Sequence, residues 1–184
     1  MPKPLRRIGT KKSKSPLIFL IGLVVAYLLY TRYSAKSITM TSGQTWLPKS
    51  TSKIPNDVYR AISNALSARG VNDVTILFWM AVSGFETGNW TSQIYTENNN
   101  LWGMRLATSN TTAIGDNAGF ADYTSIQDSA QDLALYLTRL KWAKLNFASL
   151  QEFVHQMKLK NYFVEPEDQY LAGVTAVYNQ LFAL

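Results

Sequence analysis

Cysteine is absent from the 184 residues, and histidine occurs once, at His155. Disulfides and thiolate metal ligands are therefore excluded, while either redox compartment stays open. A zinc site would need an all-carboxylate shell, which zinc rarely takes, so no metal and no cofactor is expected. A nucleophilic triad through His155 finds no nucleophile-elbow sequence to serve, and the residue reads as an ordinary helical histidine. Acidic residues are missing from positions 1 to 36, which hold eight of the 18 Lys and Arg. The rest carries ten basic against 12 acidic residues, a net of −2, so the overall +6 is not a property of the globular part. A basic nucleic-acid face is excluded there. The length allows one ordinary domain with a short extra segment.

Long apolar runs are scarce as well, and the longest stands near the N-terminus. After the basic segment 1–16, with Lys3, Arg6, Arg7, Lys11, Lys12 and Lys14, the residues Leu17 to Tyr30 are apolar, Gly or Tyr throughout. A cleaved signal peptide wants small residues before the cut, and Leu28, Leu29, Tyr30 and Tyr33 stand there instead. An amphipathic surface helix needs a polar face that the run does not have. The expectation is an uncleaved transmembrane anchor over 17–33, about 26 Å of helix against roughly 30 Å of hydrocarbon. Lys14 and Arg32 snorkelling, with tyrosines at the far interface, close that gap. Positive charge before the span predicts a cytoplasmic N-terminus and a domain facing outward.

A Ser-, Thr- and Lys-rich linker follows over 34–54, and a mostly helical domain occupies 55–184. The periodicity predicts helices from Pro55 to Ala68, from Val74 to about Phe85 after the cap candidates Asn72 and Asp73, and from Ile126 to about Leu140. Ser149 and Glu152 form a capping box for a helix through about Met157, and Pro166 opens the last one. Between Arg105 and Tyr123 a small hairpin or a long loop is expected, with a turn offered at Ile114 to Asn117.

The residues that invite chemistry sit where the second helix ends. Glu86 follows an apolar run and precedes Thr87, Gly88, Asn89, Trp90, Thr91 and Ser92, so a charge stands at the edge of a core, where it is costly without a partner or a task. By position alone it reads equally as a capping carboxylate. Four ordered blocks add to this: Glu86 to Ser92; Asn99, Asn100, Leu101, Trp102, Gly103, Met104, Arg105; Phe120, Ala121, Asp122, Tyr123, Thr124, Ser125; and Asn161, Tyr162, Phe163, Val164, Glu165, Pro166 followed by Tyr170. Together they resemble the lysozyme-like glucosaminidases, the peptidoglycan hydrolases that include the flagellar-rod type. This chain departs from the family pattern in having the tryptophan of the first block one place late, Asn161 for a glycine and Glu165 for an aspartate.

The resemblance implies a mainly α, lysozyme-like domain with a small β-hairpin lobe, and Glu86 as the catalytic acid. It implies an N-acetylglucosaminidase cutting β-1,4 bonds of the cell-wall glycan, with Tyr162 also at the site. Its partners are then peptidoglycan strands and, through the anchor, a membrane facing the wall or periplasm, in a bacterium or in a virus whose particle carries a membrane. Oligomeric state is left open. Cutting a glycosidic bond needs a carboxyl still protonated near neutrality, hence one set against apolar groups, for which Phe85, Trp90, Trp102 and Met104 are candidates. Sugar rings also call for aromatic platforms and amides, which points to Trp90, Trp102, Tyr95 and Tyr123 with Asn98, Asn99 and Asn100, while Trp79 inside the apolar helix reads as core. For the second carboxylate the candidates are Glu97, Asp116 and Asp122, with Glu97 first because it lies in the loop beside the Asn run. A lytic transglycosylase, which needs no second carboxylate, and a non-catalytic wall-binding protein are the alternatives.

Overall fold

In the computed structural model, residues 53–182 are described. The predicted basic segment and transmembrane anchor, with nearly all of the linker, lie outside them. Among the described residues no helix is long and apolar enough to cross a membrane.

The domain is built around its second helix. Helix α1 (Asn56–Ser67) buries Val58, Ala61, Ile62, Ala65 and Leu66 on one face. Pro55 stands at its N-cap rather than at its first helical position. Helix α2 (Asp73–Glu86) begins where the Asn72 side chain accepts the Thr75 N–H, and every residue from Thr75 to Gly84 is buried. An all-round apolar helix must be surrounded on every side. Here α1 and the helices α5 (Leu150–Leu159) and α6 (Glu167–Phe182) pack against it, and α1 is backed in turn by α4 (Ile126–Arg139). Trp79 is the hub, as expected of a core residue: its ring meets Trp102 at 5.8 Å and Phe153 at 4.9 Å, both edge-on.

The caps follow the sequence signals. Ser125 accepts the Asp128 N–H and donates its hydroxyl to the Asp128 carboxylate, fixing the start of α4. At α5 the Ser149 hydroxyl accepts the Glu152 N–H, while Glu152 reaches back to the N–H of Ala148 rather than that of Ser149.

Two expectations need correction. The stretch Gln93–Asn98, read as loop, is a short helix, α3. Six residues are too few for an apolar period to show, and its ends are set by Ser92 and by Asn99, which turns left-handed at φ 50°. The hairpin pairs β1 (Gly115–Asn117) with β2 (Phe120–Asp122), so Gly115, Asp116 and Asn117 lie in a strand rather than in the turn. The turn falls at Ala118 and Gly119, both with positive φ, as a two-residue hairpin connection requires. The Asp116 carboxylate accepts the Gly119 N–H and closes it.

Candidate active site

After α2 the chain reverses through Gly88, Asn89 and Trp90, with φ of 57°, 58° and 62°. Gly and Asn take that conformation readily; Trp does not, and its strain has to be held by neighbours. The Thr87 hydroxyl accepts the Trp90 N–H at 3.0 Å, and the Trp90 indole donates to the Ser83 hydroxyl at 3.0 Å. This turn leaves Glu86 half-buried at the helix end.

The Glu86 carboxyl has two distinct oxygens. Oε1 accepts the Tyr170 hydroxyl proton at 2.6 Å, a bond that spans 84 residues of sequence. Oε2 lies against Gly103, where an added Cβ would come within 3.3 Å of it. Gly103 is also at φ 63°, so both space and backbone favour the glycine. The Leu101, Trp102, Gly103 segment therefore carries a bare stretch of backbone up to the carboxyl. Burial raises the Glu86 pKa from 4.5 to about 7, the Tyr170 bond pulls it down, and the charge of Glu165 raises it. The shift is that of an acid still protonated near neutral pH.

Tyr170 is held firmly. It is buried, stacked on Phe163 at 3.8 Å with rings nearly parallel, and met edge-on by Phe85 at 5.3 Å. Phe85 itself is 38% exposed. Its ring fits only because residue 173 is glycine: a Cβ there would meet the Phe85 ring at 2.4 Å. Tyr162 sits beside this group, its hydroxyl directed at the Trp102 carbonyl at 3.4 Å and its ring against Trp79 and Tyr136. Burial and the Glu86 charge both hold its hydroxyl well above the usual phenol range. The Tyr162 hydroxyl stays protonated, a donor to the Trp102 carbonyl.

Most of the residues predicted to bind sugar are buried or bonded to the protein itself. Trp90 and Trp102 are 5% and 2% exposed, too deep to offer a ring face to a sugar, and the Trp102 indole donates to the Ser129 carbonyl. Tyr123 is buried with its hydroxyl on the Asp132 carboxylate at 2.9 Å, in a network closed by Arg139. Asn100 is wholly buried: its amide donates to the carbonyls of Met104 and Ala121, and its oxygen accepts the N–H groups of Trp102 and Met104. It is a complete internal splint for the Leu101 to Met104 turn. The Asn98 amide donates to the Asn117 carbonyl and the Asn117 amide to the Asn98 side-chain oxygen, joining α3 to the hairpin. Asn99 donates to the Tyr123 carbonyl and lines, with Asp57, Tyr95 and Gln127, a groove of about 400 Å³ between α1, α3 and α4. Neither Glu86 nor either of its contacts, Tyr170 and Gly103, lines that groove.

The second-carboxylate candidates lie on α3 and the hairpin. Glu97 is exposed on α3 and accepts from Gln93 one turn earlier. Asp116 closes the hairpin turn and Asp122 is in strand β2. Sequence reasoning passed over Tyr170 as a site residue although it belongs to the fourth block, because spacing does not say which tyrosine of a block reaches the acid. Phe85 was seen as an apolar neighbour and is in addition an exposed ring at the rim.

The chain matches the model of the glucosaminidase family, described as mannosyl-glycoprotein endo-beta-N-acetylglucosaminidase, over residues 61–182. That stretch takes in Glu86 and all four blocks, and the chain belongs to this family. It is accordingly a glycoside hydrolase. No curated protein sequence matches it. Among solved structures, it is similar to a chain in a type VI secretion system effector-immunity complex from Pseudomonas protegens, with 18% identity, a TM-score of 0.49, and coverage of 70% of this chain and 96% of that one.

Proposed function

We propose that the protein is a peptidoglycan hydrolase that cuts β-1,4 bonds between amino sugars, with Glu86 as the general acid and residues 17–33 as a membrane anchor that turns the domain toward the wall. The observation that carries the reading is the Glu86 carboxyl itself, half-buried at a helix end, bonded by Tyr170 and raised to about 7. Because the Tyr170 proton occupies Oε1, the acid proton belongs on Oε2, the oxygen that faces Gly103. A glycosidic oxygen approaching from that side takes the proton as the bond to the anomeric carbon breaks. The carboxylate left behind keeps the Tyr170 hydrogen bond, which stabilises the charge more than the neutral acid. Phe85, exposed at the rim, offers the apolar face that the buried tryptophans do not.

The anchor rests on the apolar run after the basic N-terminus, and it predicts that the full chain sediments with vesicles while a chain starting at 37 does not. For the chemistry, a zymogram on purified wall material is the test. Glu86→Gln is expected to abolish clearing, with activity lower by about 10³-fold or more, since general acid catalysis contributes on the order of 10² to 10⁴. Clearing by the Gln variant would remove Glu86 from the role. Mass spectrometry of the products separates hydrolysis from lytic transglycosylation, whose anhydro end is lighter by one water.

A further inference from the structure

Resting on that reading, we propose that Glu165 is the second carboxylate of the reaction, the base that takes a proton from the attacking water. It lies in the loop between α5 and α6, immediately before Pro166. This loop is fixed against the acid at both ends. On one side Phe163 stacks on Tyr170, whose hydroxyl touches Glu86. On the other, the Pro166 carbonyl accepts the Tyr170 N–H, placing Glu165 about one helical turn from that tyrosine. Lys158 braces the middle: its ammonium donates to the Val164 and Glu165 carbonyls at 3.0 and 2.7 Å and lies 5.0 Å over the Phe163 ring.

The Glu165 side chain is exposed, and one of its oxygens accepts the Val164 N–H at 3.2 Å. Its charge raises the Glu86 pKa, in keeping with the short path from this loop through Phe163 and Tyr170 to the carboxyl. A base of this kind has to be held in place by its backbone and open to water, and Glu165 meets both conditions. Glu97 and Asp116 instead accept from the Gln93 side chain and the Gly119 N–H.

The step balances as follows. A water proton passes to Glu165 while the water oxygen bonds to the anomeric carbon. The bond from that carbon to the leaving sugar breaks, its electron pair goes to the leaving oxygen, and that oxygen takes the Glu86 proton. Solvent returns the proton from Glu165 to Glu86. Attack opposite the leaving group inverts the anomeric centre.

Full-length wild type, Glu165→Gln and Glu165→Asp are compared on soluble glycan fragments, with the anomer of fresh product read by NMR, melting temperature checked for each, and azide added as a nucleophile that needs no base. Inversion by the wild type is expected, with a loss of about 10²-fold or more in Glu165→Gln at unchanged melting temperature, loss of the acid limb of its pH profile, and recovery by azide but not in Glu86→Gln. Glu165→Asp, which keeps a carboxylate, should fall between the two. Retention by the wild type, a Gln variant within twofold of it, or a loss that azide does not restore would each overturn the assignment. A wild-type chain that cuts no glycan removes the proposed function as well, which an active wild type with an inert Glu86→Gln does not.

Discussion

Two regions of the domain are equally rich in aromatic, amide and acidic side chains, and they differ in what is left over. In the first, around α3 and the hairpin, Asn98, Asn100, Trp102 and Tyr123 spend their polar atoms on the protein itself. In the second, where α2 ends beside α6, Glu86 has one oxygen on Tyr170 and the other against a glycine. A buried polar group with all its partners adds rigidity; one with a free lone pair in a half-buried place has a shifted pKa and something to exchange. The first region is therefore the template, and the second is where a proton can move. Gly103 belongs to both, since Asn100 shapes the turn that presents it to the acid.

Substitutions can break or sharpen this division. The largest effect is expected at Glu86, where loss of activity should be accompanied by a gain in stability. A carboxyl whose folded pKa is about 7 against 4.5 when free binds more protons folded than unfolded, so the native state loses stability as pH rises between those values. Glu86→Gln escapes that loss, and its melting temperature should exceed wild type at pH 8, by up to roughly 1–3 kcal/mol in free energy, and approach it at pH 4. Equal melting curves at pH 8 would show that the carboxyl is not held as described.

Gly103→Ala comes next. Positive φ and contact with Oε2 both oppose the methyl group, and displacing the acid by a fraction of an ångström should cost about 10- to 100-fold in kcat. An unimpaired Ala variant would detach the turn from the acid. Tyr170→Phe removes the hydrogen bond that lowers the Glu86 pKa, so the alkaline limb of the pH profile should move to higher pH while kcat falls about tenfold. A limb that moves the other way would reverse the assigned role.

Asn100→Ala tests the template. Four backbone groups each lose a hydrogen bond in a buried place, so stability should fall by about 2–4 kcal/mol, while the molecules still folded at low temperature keep most of their activity. A stable variant with a raised KM would return Asn100 to the sugar. The smallest effect is expected for Glu97→Gln, which changes one end of an exposed contact on α3 and should stay within about 0.5 kcal/mol and twofold in rate.

How far each part could be read in advance follows from range. Helices α1, α2, α4, α5 and α6 announce themselves through caps and apolar periods that act within a few residues, as Asn72, Ser125 and Ser149 do. Helix α3 is shorter than the period that would reveal it. The hairpin turn moved because Gly115 and Asp116 look like turn formers, whereas pairing needed the two positive-φ positions at 118 and 119. Glu86 was legible because a charge at the end of an apolar run is locally anomalous. The sugar platforms were misread because a tryptophan on a cleft wall and one in a core have the same neighbours in sequence, and burial alone tells them apart.

By itself, the sequence determined the helical class, the family blocks and the anomalous position of the Glu86 carboxyl, since each depends on side chains close together along the chain. The tertiary structure alone decided which groups meet that acid. Tyr170 is 84 residues away, Gly103 arrives on a turn made by Asn100, and the Trp90 and Trp102 rings are turned inward. A carboxyl's pKa is set by what packs against it, and packing joins residues that no local pattern relates.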